Sequence, residues 1–132
     1  MYFSSNIKDK EGKNNFDIYS SELRSGEFQV AARLDSGVNS PHYEADVFVS
    51  PDESYVVFAA NRPGGRGQGD LHVSFRKPDG KWTASRSLDS INTETDDFCP
   101  YVSPDGKYLF YASRGDVYCL DLRMDKNHRF LY

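Results

Sequence analysis

Ser50-Pro51-Asp52-Glu53-Ser54-Tyr55 and Ser103-Pro104-Asp105-Gly106-Lys107-Tyr108 are one turn written twice, 53 residues apart from Ser50 to Ser103. Ser followed by Pro suits positions i and i+1 of a type I turn, and Gly106 occupies the favoured i+3 position. The likeness spreads outward in both directions. Asn39 matches Asn92, Val49 matches Val102 and Ala59 matches Ala112; Leu34-Asp35-Ser36 returns as Leu88-Asp89-Ser90. Gly26 and Phe28 return as Gly80 and Trp82, Asp17-Ile18-Tyr19 as Asp70-Leu71-His72, and Tyr2-Phe3-Ser4-Ser5-Asn6 as Val57-Phe58-Ala59-Ala60-Asn61.

A period of this length belongs to arrays in which one supersecondary unit buries its faces only by stacking on a copy of itself. Within the complete unit, short aromatic and β-branched runs at 45–49, 55–60, 70–76 and 82–88 are separated by Gly, Pro, Asn and Asp, which predicts four strands. The run at 45–49 is apolar on both faces, as a strand sandwiched between sheets requires. The pattern returns at 98–102, 107–113 and 116–122. Four antiparallel strands in about 50 residues make a β-propeller blade. The expected fold is all-β, a partial propeller arc of about two and a half to three blades in one domain. Residues 1–36 form an incomplete first blade, 37–90 a complete one, and 91–132 a last one.

The bulk numbers narrow the function classes. At 132 residues with 14% aromatics the chain is long enough for a real core. A net charge of −4 leaves no basic field, so nucleic acid is not an expected partner. No apolar run approaches the roughly 20 residues that span a bilayer, and the N-terminus lacks the charged-then-apolar pattern of a signal peptide. Cys99 and Cys119 fall on the first and third strands of one expected sheet, two spacings of about 4.8 Å apart and beyond bridging distance. They are read as buried free thiols.

Pro100-Tyr101-Val102-Ser103-Pro104-Asp105-Gly106-Lys107-Tyr108-Leu109-Phe110-Tyr111-Ala112-Ser113 resembles the PD40 repeat, the WD40-like propeller repeat of TolB and related bacterial envelope proteins. Asn61-Arg62-Pro63-Gly64-Gly65 with Gly69-Asp70-Leu71, Asp79-Gly80-Lys81-Trp82, and Ile91-Asn92-Thr93 with Asp97 resemble the version in TolB-like envelope propellers, often fused to peptidoglycan-binding domains. The resemblance spans about residues 2–122. It implies a periplasmic or cell-envelope setting and a non-enzymatic scaffold for a protein or glycan ligand. The alternative it leaves open is the propeller portion of an enzyme, a prolyl-oligopeptidase-like peptidase or a TolB-like polysaccharide lyase. A ring needs roughly four to eight blades, so missing blades of a longer chain or self-association are expected partners, and an opening inside a strand favours a part of a longer protein.

Candidate chemistry is sparse. The Gly-rich stretch 64–69 precedes a strand rather than a helix, against phosphate binding, and is read as a mobile connecting loop with Arg62 and Arg66 its only anion contacts. Asp17, Asp70 and Asp116 are read as bonding backbone groups at equivalent strand entrances rather than sharing a metal. Arg114-Gly115-Asp116 matches an adhesion tripeptide but sits at a tight strand connection. No zinc, hydrolase or cofactor motif is present. The crossovers remain. His42, Tyr43 and Glu44 match Thr95, Asp96 and Asp97 just before the innermost strands; His42, Tyr43, Glu44, Arg62, Arg66, Asp96 and Asp97 are the expected ligand-binding face, onto which the stretches 6–15 and 61–69 also open.

Overall fold

The structure, a computed structural model, describes residues 1–6 and 15–124. Its strands are β1 (Tyr2–Ser5), β2 (Asp17–Ser20), β3 (Leu23–Arg24), β4 (Glu27–Phe28), β5 (Ala32–Arg33), β6 (Tyr43–Val49), β7 (Tyr55–Asn61), β8 (Asp70–Phe75), β9 (Arg86–Ser87), β10 (Asp97–Val102), β11 (Tyr108–Ser113) and β12 (Asp116–Asp121). A short 3-10 turn, Leu122–Met124, follows. The strands make a first sheet β1-β2-β5, a second β6-β7-β8-β9, a third β10-β11-β12, and a separate hairpin β3-β4. Every ladder is antiparallel. The chain is all-β. An expected fourth strand of the last unit would fall partly on residues 125–132, which lie outside the described residues.

The repeated turn has a repeated physical cause. Glu53 N–H donates to the Ser50 carbonyl at 2.8 Å and Gly106 N–H to the Ser103 carbonyl at 2.8 Å, closing both type I turns. The Ser hydroxyl then accepts from the residue that opens the next strand, Tyr55 N–H at 3.1 Å in one copy and Tyr108 N–H at 3.0 Å in the other. Residue i+3 is left-handed in both, with φ of 56° at Glu53 and 70° at Gly106. Glycine adopts that conformation without strain; glutamate does not. Ser25-Gly26 and Arg114-Gly115 both carry positive φ, the two-residue hairpin tip whose twist matches the flanking strands. The Arg-Gly-Asp match is therefore a hairpin tip.

The matched asparagines act as artificial strand partners. Asn39 Oδ1 accepts from Ile18 N–H at 2.8 Å while its Nδ2 donates to the Ile18 carbonyl at 2.8 Å. Asn92 does the same to Leu71, at 2.8 and 3.0 Å. Both asparagines are buried, so each amide satisfies backbone groups that would otherwise be stranded without water.

Strand β7 explains why the sheets stack. Val56, Phe58 and Ala60 pack toward the first sheet with Ile18, Leu34, Val38 and Trp82. Val57 and Ala59 pack toward the third with Leu71, Val73, Val102, Leu109 and Tyr111. Alternating side chains of one strand thus feed two cores, and each fully buried large side chain such as Phe58 stabilises by about 2 kcal/mol. A directly paired aromatic couple recurs in all three sheets. Phe3 stacks on Tyr19 at 5.9 Å and 20°, Phe58 on His72 at 5.8 Å and 21°, and Tyr111 on Tyr118 at 5.7 Å and 23°.

Two expectations are corrected. The strand expected over 82–88 is interrupted: after the Arg76–Trp82 bridge, pairing resumes only at β9. The reason is that Ser85 N–H leaves the ladder to donate to the Gly37 carbonyl at 3.0 Å. Cys99 and Cys119 are free, as expected, but exposed rather than buried. Cys119 lies opposite Phe110, one position from the inward Tyr118, so it points to the third sheet's uncovered face.

Gly37 has no counterpart in the second copy: five positions separate Leu34 from Asn39, four separate Leu88 from Asn92. A Cβ there would lie 2.6 Å from the backbone oxygens of both Trp82 and Thr83. Gly37→Ala is expected to cost about 2 kcal/mol through overpacking, measured as a lower urea midpoint at unchanged slope. An unchanged midpoint would mean the two segments separate freely.

Candidate functional site

Two β-bulges at matching positions shape the region between the second and third sheets. Register shifts between Ala45 and Phe48 in β6, and between Phe98 and Tyr101 in β10. The residues that absorb them, Asp46 and Cys99, are both left-handed, at φ 53° and 51°. A bulge re-aims the side chain it carries, and here the Asp46 carboxylate lies near enough to the Cys99 thiol to act on it electrostatically. Burial, then the Asp46 charge, pushes that thiol up from its usual range, so it stays protonated.

Beside this pair lies a cleft of about 390 Å³, within the range of small ligand sites. Its walls are the rings of Tyr43 and Phe98 with Ala59; its polar atoms come from Asp46, Asn61, Gln68 and Asp96. Tyr43 faces Asn61 across the β6–β7 ladder, and its ring rests 5.5 Å from Phe16. Desolvation first, and the neighbouring Asp46 second, raise the Tyr43 phenol, which remains a neutral hydrogen-bond donor.

The Gly-rich stretch forms the remaining wall, and its reading as a mobile connector is corrected. Arg66 and Gly67 N–H groups donate to the buried Asp70 carboxylate at 2.8 and 3.2 Å. Gly69 bridges Asp96 in a short parallel contact, and Asp97 N–H donates to the Gly69 carbonyl at 2.7 Å. A Cβ on Gly67 would lie 1.9 Å from the Thr95 carbonyl oxygen. Glycine here permits backbone to press against backbone.

The seven expected ligand residues separate into groups. Tyr43 and Asp96 line the cleft. His42 is exposed beside it, its carbonyl accepting from the Asn15 amide. Glu44 and Arg62 meet each other instead: Glu44 is fully buried and accepts from Arg62 Nε at 2.9 Å, while Arg62 also donates to the Ser85 hydroxyl at 2.7 Å and the Val38 carbonyl at 2.5 Å. Asp97 is fully buried and accepts from Thr93 N–H at 2.5 Å. Arg66 is exposed on the Gly-rich stretch, outside the cleft lining. The part of the expected face on residues 7–14 lies outside the described residues. Asn61 and Gln68 come from the 61–69 stretch expected to open onto this face, whereas Asp46 and Phe98 were missed; a carboxylate interrupting the apolar run at 45–49 was the available signal for the first.

Of the three strand-entrance aspartates, Asp70 and Asp116 accept from backbone N–H groups, whereas Asp17 takes a bidentate contact from Arg33 at 2.7 and 2.8 Å. Among the described residues no group of three His, Cys, Asp or Glu is placed to hold a metal ion. Among the described residues no helix is long and apolar enough to cross a membrane.

A second cleft, about 550 Å³, lies between the first and second sheets. Its carboxylates are already engaged. Glu53 takes Tyr2 Oη–H at 2.9 Å and Arg76 at 3.1 Å, Glu22 takes Arg24, and Asp35 accepts from Gly37 and Trp82 N–H groups. The smaller cleft differs: among the described residues the side chains of Asn61, Gln68 and Asp96 make no hydrogen bond or ion pair, and Asp46 makes no ion pair. No protein-family model matches the chain, and no curated protein matches it.

Proposed function

We propose that this chain is an arc of a TolB-like PD40 β-propeller that acts as a non-enzymatic scaffold of the bacterial cell envelope, holding a protein ligand or a glycan in the Tyr43–Phe98 cleft. The observation that carries the reading is a concave site with two ring walls and unspent polar groups, placed by the same bulge in two successive repeats. Three stacked repeats with buried faces on both sides of the middle sheet support the propeller part. The envelope setting rests on the PD40 resemblance alone.

The outer face of the third sheet supports incompleteness of the ring. Val117 is 70% exposed, whereas Leu71, which takes the same place in the second sheet, is fully buried. Further sheets of this repeat, from a longer chain or further copies, cover such a face.

The test is peptide selection from a random displayed library and titration with purified peptidoglycan fragments. Ligands that lose affinity for Tyr43→Ala/Phe98→Ala while its thermal midpoint stays put support the cleft. Ligands bound equally by that variant overturn it, and cleavage of a bound peptide or fragment, read by mass spectrometry, overturns the non-enzymatic reading.

A further inference from the structure

Resting on that reading of the cleft, we propose that it recognises an organic cation, the guanidinium or ammonium group of a basic side chain in a peptide ligand. Two carboxylates, Asp46 and Asp96, line it, and among the described residues no Lys, Arg or His does. Six carboxylates elsewhere are ion-paired: Glu22 with Arg24, Asp17 with Arg33, Glu44 with Arg62, Glu53 with Arg76, Asp105 with Lys107 and Asp121 with Arg123. Among the described residues, neither cleft carboxylate has an ion-pair partner.

Two carboxylates lining one concave surface both attract a ligand cation. The rings complete the site. Tyr43 and Phe98 remain 41% and 39% exposed, so their faces are open to a cation between them. The protein already uses this contact internally, with Arg62 over Phe58 at 5.6 Å and Arg76 over Trp82 at 5.4 Å. Asn61 and Gln68 add side-chain carbonyl acceptors for the outer N–H groups of a guanidinium. A neutral sugar would use the rings and the hydroxyl acceptors but leave both charges uncompensated. The chain's net charge of −4 favours encounter with cations in general.

The test uses acetyl-Gly-Arg-Gly-amide, its citrulline isostere, which keeps the shape and loses the charge, and an N-acetylglucosamine oligomer. Backbone amide shifts of Gly69, Phe98 and Cys99 are followed in the whole chain. The expected result is that the Arg peptide binds at least about tenfold more tightly than the citrulline peptide, and that this gap closes in Asp46→Asn/Asp96→Asn. Asn tolerates the left-handed backbone of position 46, and an unchanged thermal midpoint of the variant certifies its fold. Equal affinity for the citrulline peptide, or preferential binding of the sugar oligomer at these amides, overturns the cation while leaving the cleft as a ligand site. No shift at these amides with any probe overturns both.

Discussion

Glu44→Ala is expected to lower stability by about 3 kcal/mol, or about 10 °C in thermal midpoint for a domain of this size. Glu44 is fully buried and accepts from the Ser40 N–H at 3.0 Å, from the Ser40 hydroxyl, and from Arg62. Removing it leaves the Arg62 guanidinium, 20% exposed, against the Phe58 ring without its counter-charge. The uncompensated charge, not the lost attraction, dominates the cost. Asp17→Ala is the control. Its partner Arg33 is 43% exposed, so water replaces the contact and the loss is expected to be about 1 kcal/mol or less. Urea unfolding of both variants decides the matter; equal losses would mean that Arg62 swings into solvent and the pair holds nothing. Asp97, the corresponding residue of the next repeat, accepts among the described residues from Thr93 alone, and Asp97→Ala is expected to fall between the two. Loss of ligand binding in Glu44 or Asp97 variants would therefore report on the fold of the crossover before it reported on contact.

Stability is expected to fall by about 3 kcal/mol as pH drops from 6.5 toward 4, because of one histidine. His72 is 8% exposed, stacked on Phe58, and its Nδ1 has no hydrogen-bond partner. Desolvation first, and the Arg62 charge second, lower its pKa from 6.5 to about 4, against a small opposing effect of Asp89. The sign follows directly. Above pH 6.5 both states are neutral and the stability is full. Between 6.5 and 4 the unfolded chain takes up a proton that the folded one refuses, so stability is lost as pH falls; below 4 the loss is complete. Exposed carboxylates with lowered values, Asp52, Asp105 and Asp121, lose their contributions only below the ordinary range near 3.8, under this window. His72→Phe keeps the ring stack, as Tyr19 and Tyr118 do at the matching positions. It is expected to flatten the profile between pH 6.5 and 4 in urea melts. A wild-type profile already flat there would mean that the imidazole reaches water in the native state.

The repeat was legible because its turns are local chemistry. Ser50, Pro51 and Tyr55 form a turn and its closing hydrogen bonds within six residues, and the same atoms recur at Ser103, Pro104 and Tyr108. The clamp made by Asn39 and Asn92 was visible as a match but not as a mechanism, since its partners Ile18 and Leu71 lie 21 residues away. The cleft was half legible. Tyr43 and Asp96 belong to the crossovers singled out by their polarity, but Asp46 and Phe98 sit inside strands, where alternation predicts burial. Bulges broke that alternation, and nothing local announces a bulge at Asp46 rather than at Val47.

The charged residues divide the same way. Glu44, Asp96 and Asp97 look equivalent in sequence, as acidic groups at strand starts. By itself the sequence determined the all-β class, the antiparallel strands, the turn types and the period of stacking, because these follow from backbone preferences and from alternation within a few residues. Only the tertiary structure decided which carboxylates are enclosed with a partner and which are left facing an open cleft. That difference arises from how the Gly-rich stretch presses on the Thr95 carbonyl and how two sheets meet at matching bulges, through contacts between segments far apart along the chain.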